Sequence, residues 1–134
     1  MKIVVASGYF DPLHIGHVRY LEAARALGDR LIVIVNADKQ ARIKKGQAFM
    51  LENERREIVA ALRCVDEAVI SIDTDRTVLE TLKTLQFDVF AKGGDSTLEN
   101  TPEFSYLVHS GKEIHFDAGG GKIQSSSWLI HGKS

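Results

Sequence analysis

One cysteine and two prolines among 134 residues leave little to staple or rigidify this chain. Cys64 alone makes no internal disulfide, and a single thiol excludes a cysteine-rich zinc cluster. Neither charge is in surplus: 17 Lys+Arg stand against 18 Asp+Glu, a net charge of −1. A general polyanion binder needs a basic excess, so a nucleic-acid partner is not expected and any anion site has to be built locally. No apolar run approaches the roughly 18 residues of a membrane span, so no membrane partner is expected. The apolar start of MKIVVASGYFDP meets Asp11 too soon for a signal peptide. Linkers, repeats and low-complexity stretches are also missing. What is there is 44% hydrophobic residues, enough for one core without disulfides or metals. The expectation is a single domain over residues 1–134, cytoplasmic and globular.

The apolar pattern alternates between two kinds of element. Ile3–Ala6 and Leu31–Val35 are short β-branched runs without polar alternation, the mark of strands covered on both faces. Further strands are predicted at Ala68–Ile72, Val89–Ala91 and Glu113–Phe116. Helices are predicted at Ile15–Leu27, with Gly28 as its stop, at Glu52–Arg63, at Arg76–Gln86, around Glu103–Val108 and from about Ser126. Strand–helix alternation of this kind gives an α/β fold: a Rossmann-like, doubly wound, parallel five-stranded sheet with helices on both faces. Ligands of such sheets bind at the carboxyl ends of the strands, near the topological switch point. The loops after Ala6, Val35 and Ala91, with the segment before the last helix, should therefore carry the chemistry.

The strongest local signal lies between the first strand and the first helix: Gly8-Tyr9-Phe10-Asp11-Pro12-Leu13-His14-Ile15-Gly16-His17. His14 and His17 are three apart across a helix start and share one side of its first turn. Gly16 between them lets a ligand approach the backbone, and the helix dipole favours an anion there. Together these features make a phosphate site, against the plainer alternative of capping or surface histidines. A metal site is the weaker alternative, for no third ligand or HExxH pattern stands nearby. Arg42-Ile43-Lys44-Lys45-Gly46 follows the second strand and reads either as a solvated loop or as a phosphate contact. Arg55 could fork onto a phosphate, or lie exposed beside Glu52 or Glu54. Lys92-Gly93-Gly94-Asp95 is a turn by composition, with glycines that admit a ligand and a carboxylate that could accept from a ribose or a base. Ser125-Ser126-Ser127 offer a helix N-cap. Gly132-Lys133-Ser134 lacks the upstream glycine of a P-loop, and Asp73–Thr77 matches no motif.

In these residues the chain resembles the HxGH nucleotidyltransferases, the cytidylyltransferase-like family. GYFDPLHIGH is similar to its signature, and Gly28–Val33 with Asn36-Ala37-Asp38 to its second strand and loop. Arg55, Arg63–Glu67, Lys92–Asp95 and Ser125–Ser127 resemble later motifs in the same order. Members that act on glycerol 3-phosphate, heptose 1-phosphate or FMN are all similar to it. The resemblance implies transfer of a nucleoside monophosphate from ATP or CTP to a phosphorylated small-molecule acceptor, a sugar or polyol phosphate, with release of pyrophosphate. It implies catalytic roles for His14, His17, Lys44 or Lys45, and Arg55. Nucleotide binding falls to Gly8, Tyr9, Phe10, Asp11, Gly16, Lys92, Gly94, Asp95, Ser125, Ser126 and Ser127. Acceptor binding falls to Asp11, Lys44, Arg55 and Arg63. No dedicated metal site is expected; Mg²⁺ would arrive on the triphosphate. The resemblance also implies a homodimer, and Phe10, Tyr20, Phe49 and Phe104 are candidates for an apolar surface that a two-fold contact would cover.

Overall fold

The computed structural model describes residues 1–93 and 101–118. Its elements run β1 (Ile3–Gly8), α1 (Ile15–Arg25), β2 (Arg30–Val35), α2 (Asp38–Lys45), α3 (Glu52–Ala60), β3 (Glu67–Ile70), α4 (Leu79–Lys83), β4 (Val89–Gly93), α5 (Phe104–His109) and β5 (Glu113–Ala118). The strands form one sheet in the order β3-β2-β1-β4-β5, and every neighbouring pair is parallel. The fold is the doubly wound α/β sheet that the apolar pattern predicts.

Strict alternation of strand side chains builds two apolar layers. Val4 and Ala6 of β1, Leu31, Val33 and Val35 of β2, and Val89 and Ala91 of β4 pack with Leu21 and Ala24 of α1 and Val59 of α3. Val5, Ile32, Ile34 and Phe90 point the other way, onto Val78, Leu82 of α4 and Leu107 of α5. Both faces of β2 are thus covered, which is why its sequence shows no polar alternation. From β1 the chain winds outward through β2 to β3, then crosses back to β4 on the far side of β1. The topological switch point therefore lies between β1 and β4. Tyr20 of α1 locks it: its hydroxyl donates to the Ala91 carbonyl at 2.6 Å and accepts from the Ser7 N–H at 3.3 Å. Burial holds that phenol well above its ordinary pKa, so it stays a donor.

Several local expectations change. Arg42–Lys45 is not loop but the last turn of α2, ended by Gly46 at φ 87°. The predicted helix 76–86 shrinks to Leu79–Lys83. Asp73 explains the shortening, because its carboxylate accepts from the N–H groups of Glu80 and Thr81 and fixes where the helix begins. Gly28 does not stop α1, which ends at Arg25. It is glycine because a Cβ there would lie 2.7 Å from the Lys2 carbonyl oxygen. Of the four aromatics proposed as an apolar surface, Phe10 is core at 1% exposure, Tyr20 and Phe104 are half-buried, and Phe49 is exposed. Among the described residues no helix is long and apolar enough to cross a membrane.

Candidate active site

The chain leaves β1 through a tight passage. Phe10 takes φ 52°, a conformation that non-glycine residues seldom adopt, and its ring turns back into the core. A Cβ on Gly8 would sit 2.9 Å from the tip of that ring, so the glycine is required by Phe10. The Phe10 side chain is therefore core. Its ring meets His17 edge-on, with centroids 5.0 Å apart.

The two histidines form a reciprocal cap on α1. His14 Nδ1 accepts from the Gly16 N–H at 3.1 Å, and His17 Nδ1 accepts from the His14 N–H at 3.2 Å. This is the capping-box arrangement with imidazoles in place of the usual hydroxyl and carboxamide. The capping alternative raised for these residues is thus real, and it has a chemical consequence. With both Nδ1 atoms accepting, each neutral ring carries its proton on Nε2. The rings stack at 3.9 Å, so a charge on one opposes a charge on the other. Burial first, then His14, Lys44 and Lys45, push the His17 pKa down to about 3. His17 is neutral in the physiological range.

Arg55, expected to contact phosphate, is entirely buried. Its Nε donates to the Met50 carbonyl, Nη1 to the carbonyls of Tyr9 and Asn36, and Nη2 to Asp38 Oδ1 at 2.7 Å. The guanidinium is consumed in joining the ends of β1 and β2 to α2 and to the start of α3, so neither a catalytic nor an acceptor-binding role fits it. Asp11 is corrected in the same way. Its carboxylate is buried, accepts from the N–H groups of Phe49 and Met50, and pairs with Lys45 Nζ at 2.9 Å. Lys45 also donates to the Asp11 carbonyl, which makes it a brace. Arg63 is exposed in the turn before β3, at the amino end of the sheet, opposite the edge where the loops gather.

Lys44 behaves differently. Its Nζ lies 4.5 Å from the centre of the Tyr9 ring, a cation–π contact that steadies the ammonium at the mouth of a cleft. The cleft has a volume of about 520 Å³ and opens at the carboxyl ends of β1, β2 and β4. Gly8, Tyr9, Lys44, Arg76, Lys92 and Glu103 are among its lining residues. Burial lowers the Lys92 pKa, opposed by the Glu103 carboxylate. Burial likewise raises the Tyr9 phenol, opposed by Arg76 and Arg55. Ser7, Asn36, Arg76, Val78, Pro102 and Glu103 were not anticipated from sequence. Only Ser7 and Asn36, at the ends of predicted strands, carried a positional signal. The tie that brings Arg76 in is Gln40, whose buried amide donates to the carbonyls of Asp75 and Thr77. Gly94, Asp95 and Ser125–Ser127 lie outside the described residues.

Together these features describe a doubly wound α/β domain with a stacked histidine pair capping a helix start and a cleft lined by Lys44, Arg76 and Lys92 at the carboxyl edge of the sheet. The cytidylyltransferase-like family matches residues 5–117, and the chain belongs to that family. It is 42% identical over 125 residues to Bifunctional protein HldE of Citrifermentans bemidjiense, covering 92% of this chain and 23% of that protein. It is 44% identical over 95 residues to FAD synthase of Ferroglobus placidus, covering 71% of this chain and 60% of the relative. The chain thus spans about a quarter of the length of the HldE proteins it matches. A solved lipopolysaccharide core biosynthesis protein from Thermoplasma volcanium shares the structure at a TM-score of 0.74 and 30% identity, covering 87% of this chain and 94% of that one.

Two predictions follow from the buried network and the histidine pair. Arg55→Ala should destabilise the fold by about 3–5 kcal/mol, since it strands Asp38 and three carbonyls. Urea unfolding measures this, and an unchanged midpoint would refute the bracing role. For His17, the folded pKa of about 3 lies below the ordinary 6.5, so its neutral form contributes stability in full above about pH 6.5. That contribution is lost as pH falls toward 3. Unfolding midpoints should decline over this window in the wild type and flatten in His17→Gln, which retains a capping side chain. A His17 ring resonance titrating near 6.5 would overturn the assignment.

Proposed function

We propose that this chain is a nucleotidyltransferase that moves a nucleoside monophosphate from ATP or CTP to a phosphorylated small-molecule acceptor and releases pyrophosphate. The observation that carries the reading is the reciprocal His14–His17 cap at the start of α1, in which both Nδ1 atoms accept backbone N–H groups, in the same fold as a cleft lined by Lys44, Arg76 and Lys92. The triphosphate lies along the first turn of α1, where dipole and imidazole donors favour it. The acceptor phosphate lies in the cleft on the three cations. It is already an anionic nucleophile and needs alignment and charge neutralisation more than a base. An acceptor oxygen forms the new bond to the α-phosphorus as the α–β bridging oxygen leaves with pyrophosphate. Mg²⁺ belongs to this reading as part of the triphosphate substrate, with phosphate oxygens among its ligands.

The relatives support this reading from two sides. HldE and FAD synthase stand at similar identity, so sugar phosphates, polyol phosphates and FMN all belong in the acceptor panel. The test is pyrophosphate release with ATP, CTP, GTP and UTP against that panel. His14→Ala and His17→Ala should each lower turnover by roughly 10²-fold or more. Lys44→Ala should raise the acceptor KM, while Lys45→Ala should mainly lower stability. Near-normal rates in both histidine variants would overturn the reading.

A homodimer is part of the same proposal. Phe49 and Leu51 are 62% and 69% exposed, apolar surface that a two-fold contact would cover on both subunits at once. Light scattering at micromolar concentration should give about twice the 14.8 kDa chain mass, and a value at 14.8 kDa would exclude it.

A further inference from the structure

Glu103 is the one acidic side chain among the described residues lining the cleft, and the reaction proposed above gives it no task. It is only 4% exposed. One carboxylate oxygen, Oε2, accepts from the Val78 N–H at 2.9 Å, which fixes the side chain against the segment leading into α4. The other, Oε1, is buried and has no hydrogen-bond partner among the described residues. A buried carboxylate oxygen left without a donor is costly, and natural structures rarely keep one without a reason. Here the residue stands on the wall of a cleft whose other charged groups, among the described residues, are Lys44, Arg76 and Lys92.

We propose that Glu103 selects the acceptor by accepting a hydrogen bond, through Oε1, from a hydroxyl of a phosphorylated sugar or polyol. This rests on the cleft being the acceptor site. The chemistry of the wall decides the class of ligand. A phosphate oxygen cannot face Glu103, because two acceptors repel. The three cations favour the ligand's phosphate, whereas Glu103, whose charge already acts on Lys92, favours a group that donates. An ammonium group would donate too, but it would enter a cleft already lined by three cations. A quaternary ammonium would further need an aromatic cage. Tyr9 is the only aromatic residue among the described residues lining the cleft, and its ring is engaged by Lys44. A neutral hydroxyl meets none of these objections. Selection of this kind is strong, since a site built to bond a hydroxyl is left with a buried, unpaired group when an analogue lacks it.

The experiment compares glycerol 3-phosphate, aldose 1-phosphates, propyl phosphate and phosphoethanolamine by calorimetry, with and without a non-hydrolysable triphosphate, alongside pyrophosphate release. The wild type should bind at least one hydroxylated phosphate about tenfold or more tightly than propyl phosphate. Glu103→Gln keeps an oxygen for the Val78 N–H and should remove most of that preference, with triphosphate affinity and melting temperature unchanged. Glu103→Ala should do the same if it folds, and the glutamine variant decides the matter if it does not. A preference indifferent to Glu103, a loss of triphosphate affinity in its place, binding of no hydroxylated phosphate, or a preference for phosphoethanolamine would each overturn the assignment. Glu103-dependent binding without pyrophosphate release would uphold Glu103 while refuting nucleotidyl transfer. Pyrophosphate release with a hydroxyl preference insensitive to Glu103 would do the reverse.

Discussion

The carboxyl edge of this sheet depends on one buried guanidinium. Where β1 and β2 end, the chain turns away and its carbonyls leave the ladder, so Tyr9 and Asn36 need donors that no strand supplies. Arg55 supplies them, and takes up the Met50 carbonyl and the Asp38 carboxylate as well. The two demands answer each other, since a charge out of water needs several acceptors and these carbonyls and the carboxylate need donors. Asp11 performs the complementary task for donors, holding the N–H groups of Phe49 and Met50. The segment between α2 and α3 has no regular structure, yet it is pinned by an anion on one side and a cation on the other. On that frame rest Tyr9, Lys44 and the entrance to the cleft.

The histidine pair shows how a fold can fix the protonation state of its donors. A lone imidazole would titrate near physiological pH. Stacking against a second imidazole, burial beneath the β1–α1 loop and two lysines nearby all act in the same direction on His17. The capping bonds choose the tautomer, and the electrostatics keep the ring neutral. A neutral donor can bond a triphosphate oxygen without surrendering a proton to it, and its strength does not vary across the physiological range. Bound polyphosphate would oppose the two lysines, so the ring becomes easier to protonate as negative charge gathers beside it.

The fold was legible in the sequence because its strands are buried on both faces. Leu31–Val35 and Val89–Ala91 carry no polar alternation, and a parallel sheet is the arrangement that requires this. The histidine turn was legible for a different reason: an unusual residue pair stood where a strand gives way to a helix. Roles within the motif were harder to read. Arg55 and Asp11 look like substrate contacts in one dimension, since arginine and aspartate near a glycine turn suit phosphate and hydroxyl alike. Only the three-dimensional count of donors and acceptors shows both already spent. Helix α2 was missed because its eight residues are mostly polar, with only Gln40 and Ala41 buried, so no apolar period announces it. Glu103 gave no signal at all, because its significance lies in one bond to Val78, across 25 positions of sequence.

The net charge of −1 conceals how the cleft gathers its cations. Cations and anions are sorted by depth. Buried Asp11 takes up Lys45 and buried Arg55 takes up Asp38, and the cations on the cleft wall are others, Lys44, Arg76 and Lys92. Each of these comes from a different element: the last turn of α2, the loop before α4 and the end of β4. Tyr20 ties β1 to β4 and Gln40 ties α2 to the loop before α4, so the separation of the three cations is set by buried hydrogen bonds and not by their own side chains. Such a site is preorganised: much of the cost of gathering like charges is met during folding, by burial elsewhere in the sheet, before any phosphate arrives to repay it.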